Sequence, residues 1–128
     1  MVKKNILYAE DYEFIRELTS EWFQRYLPEA NLEIFKDGIS LEKRLQKGPA
    51  GIDLVLTDNS IPPGPDGSDI IRDYAKKEGF EKVPFVLYYG NTPEIGKQAV
   101  RDGAFAYLEK SGDYKNLIQL VKSALKIE

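Results

Sequence analysis

Three carboxylates and one ammonium follow short apolar runs in this chain: Glu10 and Asp11 after Asn5–Ala9, Asp58 after Ile52–Thr57, and Lys110 just beyond Phe105–Leu108. Gly90 and Asn91 follow a further run, Val83–Tyr88. If those runs are parallel strands, all of these residues gather at one edge of a sheet, where open α/β sheets bind their ligands. Carboxylates held that close repel one another and raise one another's pKa unless a cation neutralises them. Lys110 supplies one positive charge, and a hard, oxygen-ligated divalent ion is expected to supply the rest. Mg²⁺ (or Mn²⁺) suits such a set, because it binds through a few carboxylates, keeps waters and leaves a place for a phosphoryl oxygen. Taken singly, each residue has a plainer reading. Glu10 and Asp11 could open a helix and favour its dipole, Asp58 could begin a turn, and Lys110 could be a solvated surface charge. Their joint placement at the ends of three strands lifts the set above those readings.

Composition narrows the chemistry further. The chain has 128 residues, no Cys and no His, so disulfides, thiolate nucleophiles, imidazole bases and most zinc sites are excluded. Carboxylates, Lys, hydroxyls and a hard metal remain. A net charge of −3 leaves no broad cationic surface, so no direct nucleic acid partner and no membrane surface is expected. The N-terminus runs straight into a short apolar stretch without a signal-peptide core, and no run of about 18 apolar residues occurs. A soluble, cytoplasmic protein is the expectation. With 42% hydrophobic residues, one substantial core can be filled, and residues 1–128 are expected to form one domain.

The elements that would carry these residues alternate along the chain. Apolar runs at Asn5–Ala9, Leu32–Phe35, Ile52–Thr57, Val83–Tyr88 and Phe105–Leu108 predict five strands. Helical spacing predicts a first helix facing the core with Phe14, Ile15, Leu18, Trp22 and Tyr26. It predicts a second with Leu41 and Leu45, a third with Ile70, Ile71 and Tyr74, and a last with Leu117, Ile118, Val121, Ala124 and Leu125. Pro93–Asp102 is the weakest helix, because Gly96 interrupts it and only Ile95, Ala99 and Val100 could face a core. It is expected to be the most mobile. Strict alternation with right-handed crossovers implies a doubly wound parallel sheet covered on both faces. Pro62-Pro63-Gly64-Pro65 reads as a rigid loop inside that domain.

At this level of detail the chain resembles the receiver domain of two-component response regulators over essentially its whole length. Ile6-Leu7-Tyr8-Ala9-Glu10-Asp11 resembles the family's first strand with its metal-binding acidic pair. Asp53-Leu54-Val55-Leu56-Thr57-Asp58 resembles the strand that ends in the phosphoacceptor, with Pro62 four residues on. Gly103-Ala104-Phe105-Ala106-Tyr107-Leu108-Glu109-Lys110 resembles the last strand and its phosphate-contacting lysine. The resemblance implies a flavodoxin-like (βα)5 fold with sheet order 2-1-3-4-5. It implies Asp58 as the acceptor, a metal held by Glu10, Asp11, Asp58 and the Ser60 backbone carbonyl, and Lys110 on the phosphoryl group. Tyr107 would be the aromatic that reorients on activation, and Ser60 and Asn91 would tune dephosphorylation. The implied partners are a sensor histidine kinase or phosphotransfer protein, and a downstream protein or second copy bound through the fourth helix, fifth strand and fifth helix.

Three departures from the family pattern stand out. Tyr89 occupies the switch position that normally holds Thr or Ser, and a phenol carries its hydroxyl too far from the backbone to make the same short bond to a phosphoryl group. It either fills space beside Tyr107 or serves a variant switch. The loop Asn59–Gly67 is one residue longer before its Asp-Gly than is common. Ser111 replaces a proline that often follows a cis bond, so a trans peptide is expected there, cis before a non-proline costing about 3 kcal/mol. Other functions remain to be weighed. One is a degenerate receiver acting as a phosphorylation-independent interaction module, suggested by Tyr89. Another is a hydrolase of the haloacid-dehalogenase type, which needs an acid/base Asp where Ser60 stands, so multiple-turnover catalysis on free substrates is not expected. A nucleotide-binding module lacks its Gly-rich loop after the first strand.

Overall fold

The computed structural model describes residues 3–90 and 92–127. Five strands, β1 (Lys4–Ala9), β2 (Ala30–Phe35), β3 (Leu54–Thr57), β4 (Phe85–Tyr89) and β5 (Ala106–Glu109), alternate with five helices. The helices are α1 (Glu13–Tyr26), α2 (Gly38–Gln46), α3 (Gly67–Tyr74), α4 (Pro93–Arg101) and α5 (Tyr114–Leu125). All the strand pairs are parallel, and the sheet order is β2-β1-β3-β4-β5. The expected flavodoxin-like doubly wound fold is therefore present, with strand limits within two residues of the apolar runs.

Pleating sorts each central strand between two cores. Leu7, Ala9, Val55, Phe85, Leu87 and Tyr89 face α2, α3 and α4, meeting Leu41, Leu45, Ile70, Ile71, Tyr74 and Ala99. Ile6, Tyr8, Leu54, Leu56, Val86 and Tyr88 face α1 and α5, meeting Phe23, Leu117, Ile118, Val121 and Leu125. Strands β3 and β4 are buried at every position, which explains why they read as unbroken apolar runs. The edge strands β2 and β5 are only partly covered. Among the described residues no helix is long and apolar enough to cross a membrane.

Two helices differ from expectation. In α1 the fully buried residues are Thr19 and Phe23, continued by Leu27 just past the helix, while Phe14 is 64% exposed. Trp22 and Tyr26 lie at the flank, where Tyr26 stacks on Tyr114 of α5 with ring centroids 4.1 Å apart. The apolar stripe is thus rotated from the one the spacing suggested, because aromatics at 22 and 26 pack against a neighbouring helix as readily as against the sheet. In α4, Gly96 and Ala99 are buried and Val100 is exposed. Gly96 is no interruption, since a Cβ there would overlap the Tyr107 ring, so the helix can lie on β5 only with glycine at that point. Phe105, expected to begin the fifth strand, precedes β5 and is exposed. Pro62–Pro63 is the sole cis peptide among the described residues, so Lys110–Ser111 is trans.

The rotated stripe has a direct energetic consequence. Phe23→Ala should lower unfolding free energy by about 3–5 kcal/mol through lost transfer energy and a residual cavity. Phe14→Ala should change it by no more than about 0.5 kcal/mol. Urea denaturation of the two variants checks the assignment.

Candidate functional site

The backbone ladder of the sheet runs one step beyond each strand that matters. Glu10 N–H donates to Phe35 O at 3.0 Å, Asp58 N–H to Ala9 O at 2.9 Å, and Lys110 N–H to Tyr89 O at 2.8 Å. Each of the three is the first residue past its strand, and each has its backbone fixed by a neighbouring strand. Their side chains then converge. Lys110 Nζ donates to Glu10 Oε1 at 2.5 Å and to Asp58 Oδ2 at 2.8 Å. Carboxylate oxygens of Glu10, Asp11 and Asp58 all lie within 4.8 Å of one another. Glu10 is buried, Asp11 exposed and Asp58 in between, so the cluster opens to solvent on the Asp11 side.

Local structure reinforces the arrangement. The Glu10 carboxylate accepts from Tyr12 N–H at 3.2 Å and so caps the start of α1, while Arg16 from the first turns of α1 donates to Glu10 O at 3.0 Å. Asp58 Oδ1 accepts from Asn59 N–H at 2.6 Å, and Thr57 Oγ1 donates to the Asp58 carbonyl at 2.7 Å. The following loop closes back on itself, with Gly67 N–H bonded to Asn59 O at 2.7 Å and Ser68 N–H to Asn59 Oδ1 at 3.0 Å. A Cβ on Gly67 would overlap the Asp58 carbonyl, so α3 can begin this close to Asp58 only with glycine there. The proline-bearing stretch is anchored to α2 by Gly38 N–H to Ile61 O at 2.7 Å and Ile39 N–H to Pro63 O at 3.2 Å.

The electrostatics follow from this geometry. Burial pushes the Glu10 carboxyl up to about 7, with the nearby Asp58 charge adding to the rise and the Lys110 hydrogen bond opposing it. Burial also works against the Lys110 charge, but hydrogen bonds to Asp58 and Glu10 outweigh it and the net direction is upward. Tyr88 is pushed up to about 12, first by burial and then by Glu10 and Asp58, and Lys110 Nζ sits 5.7 Å from its ring centroid. Three carboxylates against one ammonium leave two negative charges unbalanced when all are ionised. An all-oxygen donor set with that excess fits a hard divalent cation such as Mg²⁺ or Mn²⁺.

Glu10, Asp11, Asp58 and Lys110 are thus brought together at the sheet edge. Ser60 is exposed in the loop two residues beyond Asp58, and Asn91 lies outside the described residues. Tyr107 is half-buried on β5. Tyr89 packs edge-on to Tyr107, centroids 6.2 Å apart at 60°, and its hydroxyl donates to Thr92 O and accepts from Gly96 N–H. The sequence gives no motif for the contacts of Arg16 and Tyr88. Arg16 could have been found from its place one turn inside a helix that starts directly after the acidic pair, and Tyr88 from the pleat of β4.

Titration of Glu10 should be visible in stability. The folded protein keeps a proton on Glu10 up to about pH 7, whereas the unfolded chain loses it near the ordinary 4.5. Between those values the native state binds more protons, so Glu10's contribution is largest below pH 4.5 and is lost as pH rises through 7. Comparing urea unfolding of wild type with Glu10→Gln in metal-free buffer, from pH 5 to pH 8, should show a difference on the order of 2 kcal/mol in that direction. A difference independent of pH would contradict the burial assigned to Glu10.

The family model described as the response regulator receiver domain matches residues 6–122. Among curated protein sequences, none matches. Solved structures overlay closely. The phosphorylated cyanobacterial phytochrome response regulator RcpA does so with a TM-score of 0.79 at 20% identity, covering 95% of this chain and 91% of that one. A receiver domain protein from Clostridium thermocellum overlays with a TM-score of 0.82 at 20% identity, covering 96% and 94%. The Mn²⁺-bound form of response regulator Rcp1 gives 0.77 at 22% identity, covering 94% and 90%. At these identities the overlays establish the fold, and the family match establishes kinship: the chain belongs to the receiver domains of two-component response regulators.

Proposed function

We propose that the protein is a phosphoryl-accepting switch in two-component signal transduction, with Asp58 as the acceptor. The observation that carries this reading is the Lys110 ammonium bonded at once to Asp58 and Glu10 where three carboxylates meet. An Asp58 carboxylate oxygen attacks the phosphorus of a phosphohistidine on a sensor kinase or phosphotransfer protein. A P–O bond forms as the P–N bond breaks, and the departing imidazole retains the electron pair and takes a proton. The product is an aspartyl phosphate. Lys110, already positioned by two hydrogen bonds, neutralises a phosphoryl oxygen, so catalysis is chiefly placement and electrostatics.

Glu10, Asp11 and Asp58, with the Ser60 carbonyl, would hold Mg²⁺, or Mn²⁺ in its place, and the bound ion supplies the remaining positive charge for the phosphoryl oxygens. The buried Glu10 must lose its proton to serve as a ligand. Arg16 holds the Glu10 backbone, and the closed loop after Asp58 holds the acceptor's main chain, so neither carboxylate has to be ordered at the moment of reaction. Water later returns the carboxylate, with Ser60 and Asn91 proposed to tune that step. No multiple-turnover activity on free phosphoesters is expected, since Ser60 stands where an acid/base carboxylate would be needed. The output partner, a downstream protein or a second copy, would read α4, β5 and α5, and the setting is cytoplasmic, where kinase phosphotransfer regions work. A second reading, a phosphorylation-independent interaction module, is favoured by one observation: the Tyr89 hydroxyl is already engaged by α4.

Intact-protein mass after incubation with acetyl phosphate and Mg²⁺ separates the readings. One phosphoryl adduct is expected in the wild type, absent in Asp58→Ala and after chelation, and reduced at least about tenfold in Lys110→Ala. A folded wild-type protein that takes no adduct would establish the interaction module instead.

A further inference from the structure

Helix α4 begins with a proline in its first turn and a tight opening bond, Ile95 N–H donating to Thr92 O at 3.1 Å. Thr92 stands at its N-cap but makes no side-chain capping bond, and Pro93 at the first turn offers no N–H. Gly96 N–H would ordinarily reach the carbonyl four residues back, that of Thr92. Instead the Tyr89 hydroxyl stands between them, accepting from Gly96 N–H at 3.1 Å and donating to Thr92 O. Thr92 O already accepts from Ile95 N–H, and the phenol takes up the Gly96 N–H that this tighter turn leaves over. Its ring is 3% exposed and lies edge-on to Tyr107, and Tyr107 in turn fits against Gly96 so closely that a Cβ there would overlap it. Tyr89, the start of α4 and Tyr107 form one closed contact ring. Tyr88, next along the strand, points to the other face, where Glu10 and Asp58 act on it.

We propose that Tyr89 is a latch: its hydroxyl fixes the first turn of α4 and, through it, the seat of Tyr107, so that α4 and β5 answer a change at Asp58 as one joined unit. Both hydrogen-bonding capacities of the phenol that this role needs are in use, one donated and one accepted. A side chain so engaged cannot also reach toward Asp58 without giving up both of its bonds to the start of α4. Burial raises the phenol's pKa first, the Gly96 hydrogen bond opposes it, and Tyr107, Glu109 and Glu94 add to the rise. The second half of the proposal, that the latch stays closed on phosphorylation, rests on Asp58 being the acceptor; the first half does not.

Amide hydrogen exchange read by NMR tests both halves. Without phosphodonor, Tyr89→Phe should speed exchange at Gly96 by about tenfold or more and leave Val121 in α5 within about twofold. Unchanged exchange at Gly96 in a folded Phe variant overturns the latch. Should that variant fail to fold, the wild type decides: a slowly exchanging Tyr89 hydroxyl proton with a cross-peak to the Gly96 amide is expected, and its absence overturns the latch equally. With acetyl phosphate and Mg²⁺, and the adduct verified by mass, wild-type Gly96 exchange should move less than about twofold. A shift as large as that caused by removing the hydroxyl would show the latch opening and overturn the second half. Failure to form any adduct counts against the acceptor reading alone, and the donor-free comparison still decides the latch.

Discussion

Like charges crowded at the end of a parallel sheet impose the central constraint on this molecule. Glu10 is almost wholly removed from solvent, and a lone buried carboxylate is costly unless a cation lies against it. Lys110 meets that need for Glu10 and Asp58 together, reaching across from the far edge strand to β1 and β3. Such a bridge holds only if three strands keep their relative register, since a slip of one residue would turn each functional side chain to the opposite face. The apolar, doubly covered β3 and β4 provide that rigidity, and the ladder bonds that continue into Glu10, Asp58 and Lys110 carry it into the site.

Tyrosines around this charge cluster divide between the two faces of the sheet. Tyr8 and Tyr88 lie on the α1/α5 side, both raised in pKa by burial first and by Glu10 and Asp58 as well. The Tyr8 and Thr19 hydroxyls are buried without a well-formed hydrogen bond, although Thr19 still acts to oppose the rise in the Tyr8 pKa. Each unpaired hydroxyl costs about 1–3 kcal/mol, so this region is held by the packing around it rather than by its polar contacts. Tyr89 and Tyr107 lie on the opposite side, where the polar group of Tyr89 is paired with backbone and its ring completes an apolar wall.

The parts legible in the sequence were those governed by strand ends. Glu10, Asp58 and Lys110 could be grouped because each directly follows, or nearly follows, an apolar run, and parallel strands send such residues to a common edge. The face of α1 was less legible. Trp22 and Phe23 are adjacent aromatics, hydrophobicity alone cannot say which turns inward, and the partner that claims Trp22 and Tyr26 is Tyr114, far away in sequence. Gly96 was misread for a related reason: its lack of a side chain weakens a helix locally, yet the need for it arises from Tyr107 across a tertiary contact. Arg16 left no signal beyond its place one turn inside α1, because its partner is a backbone carbonyl and carries no side-chain identity.

The end of β4 shows how far a single pleat decides which way information can travel. Tyr88 and Tyr89 are chemically alike and adjacent, but the strand sends one ring beneath Lys110 and the other beneath α4. A change of charge at Asp58 acts directly on Tyr88, since the interior between them is poorly screened. To act on Tyr89 it must pass through the backbone that links the two, or through the Lys110 N–H bonded to the Tyr89 carbonyl. That last bond ties the residue bearing the site's ammonium to the residue bearing the α4 contact. It does so through main-chain atoms that also belong to the sheet ladder, so any movement of Lys110 toward a new charge is resisted by the same register that formed the site.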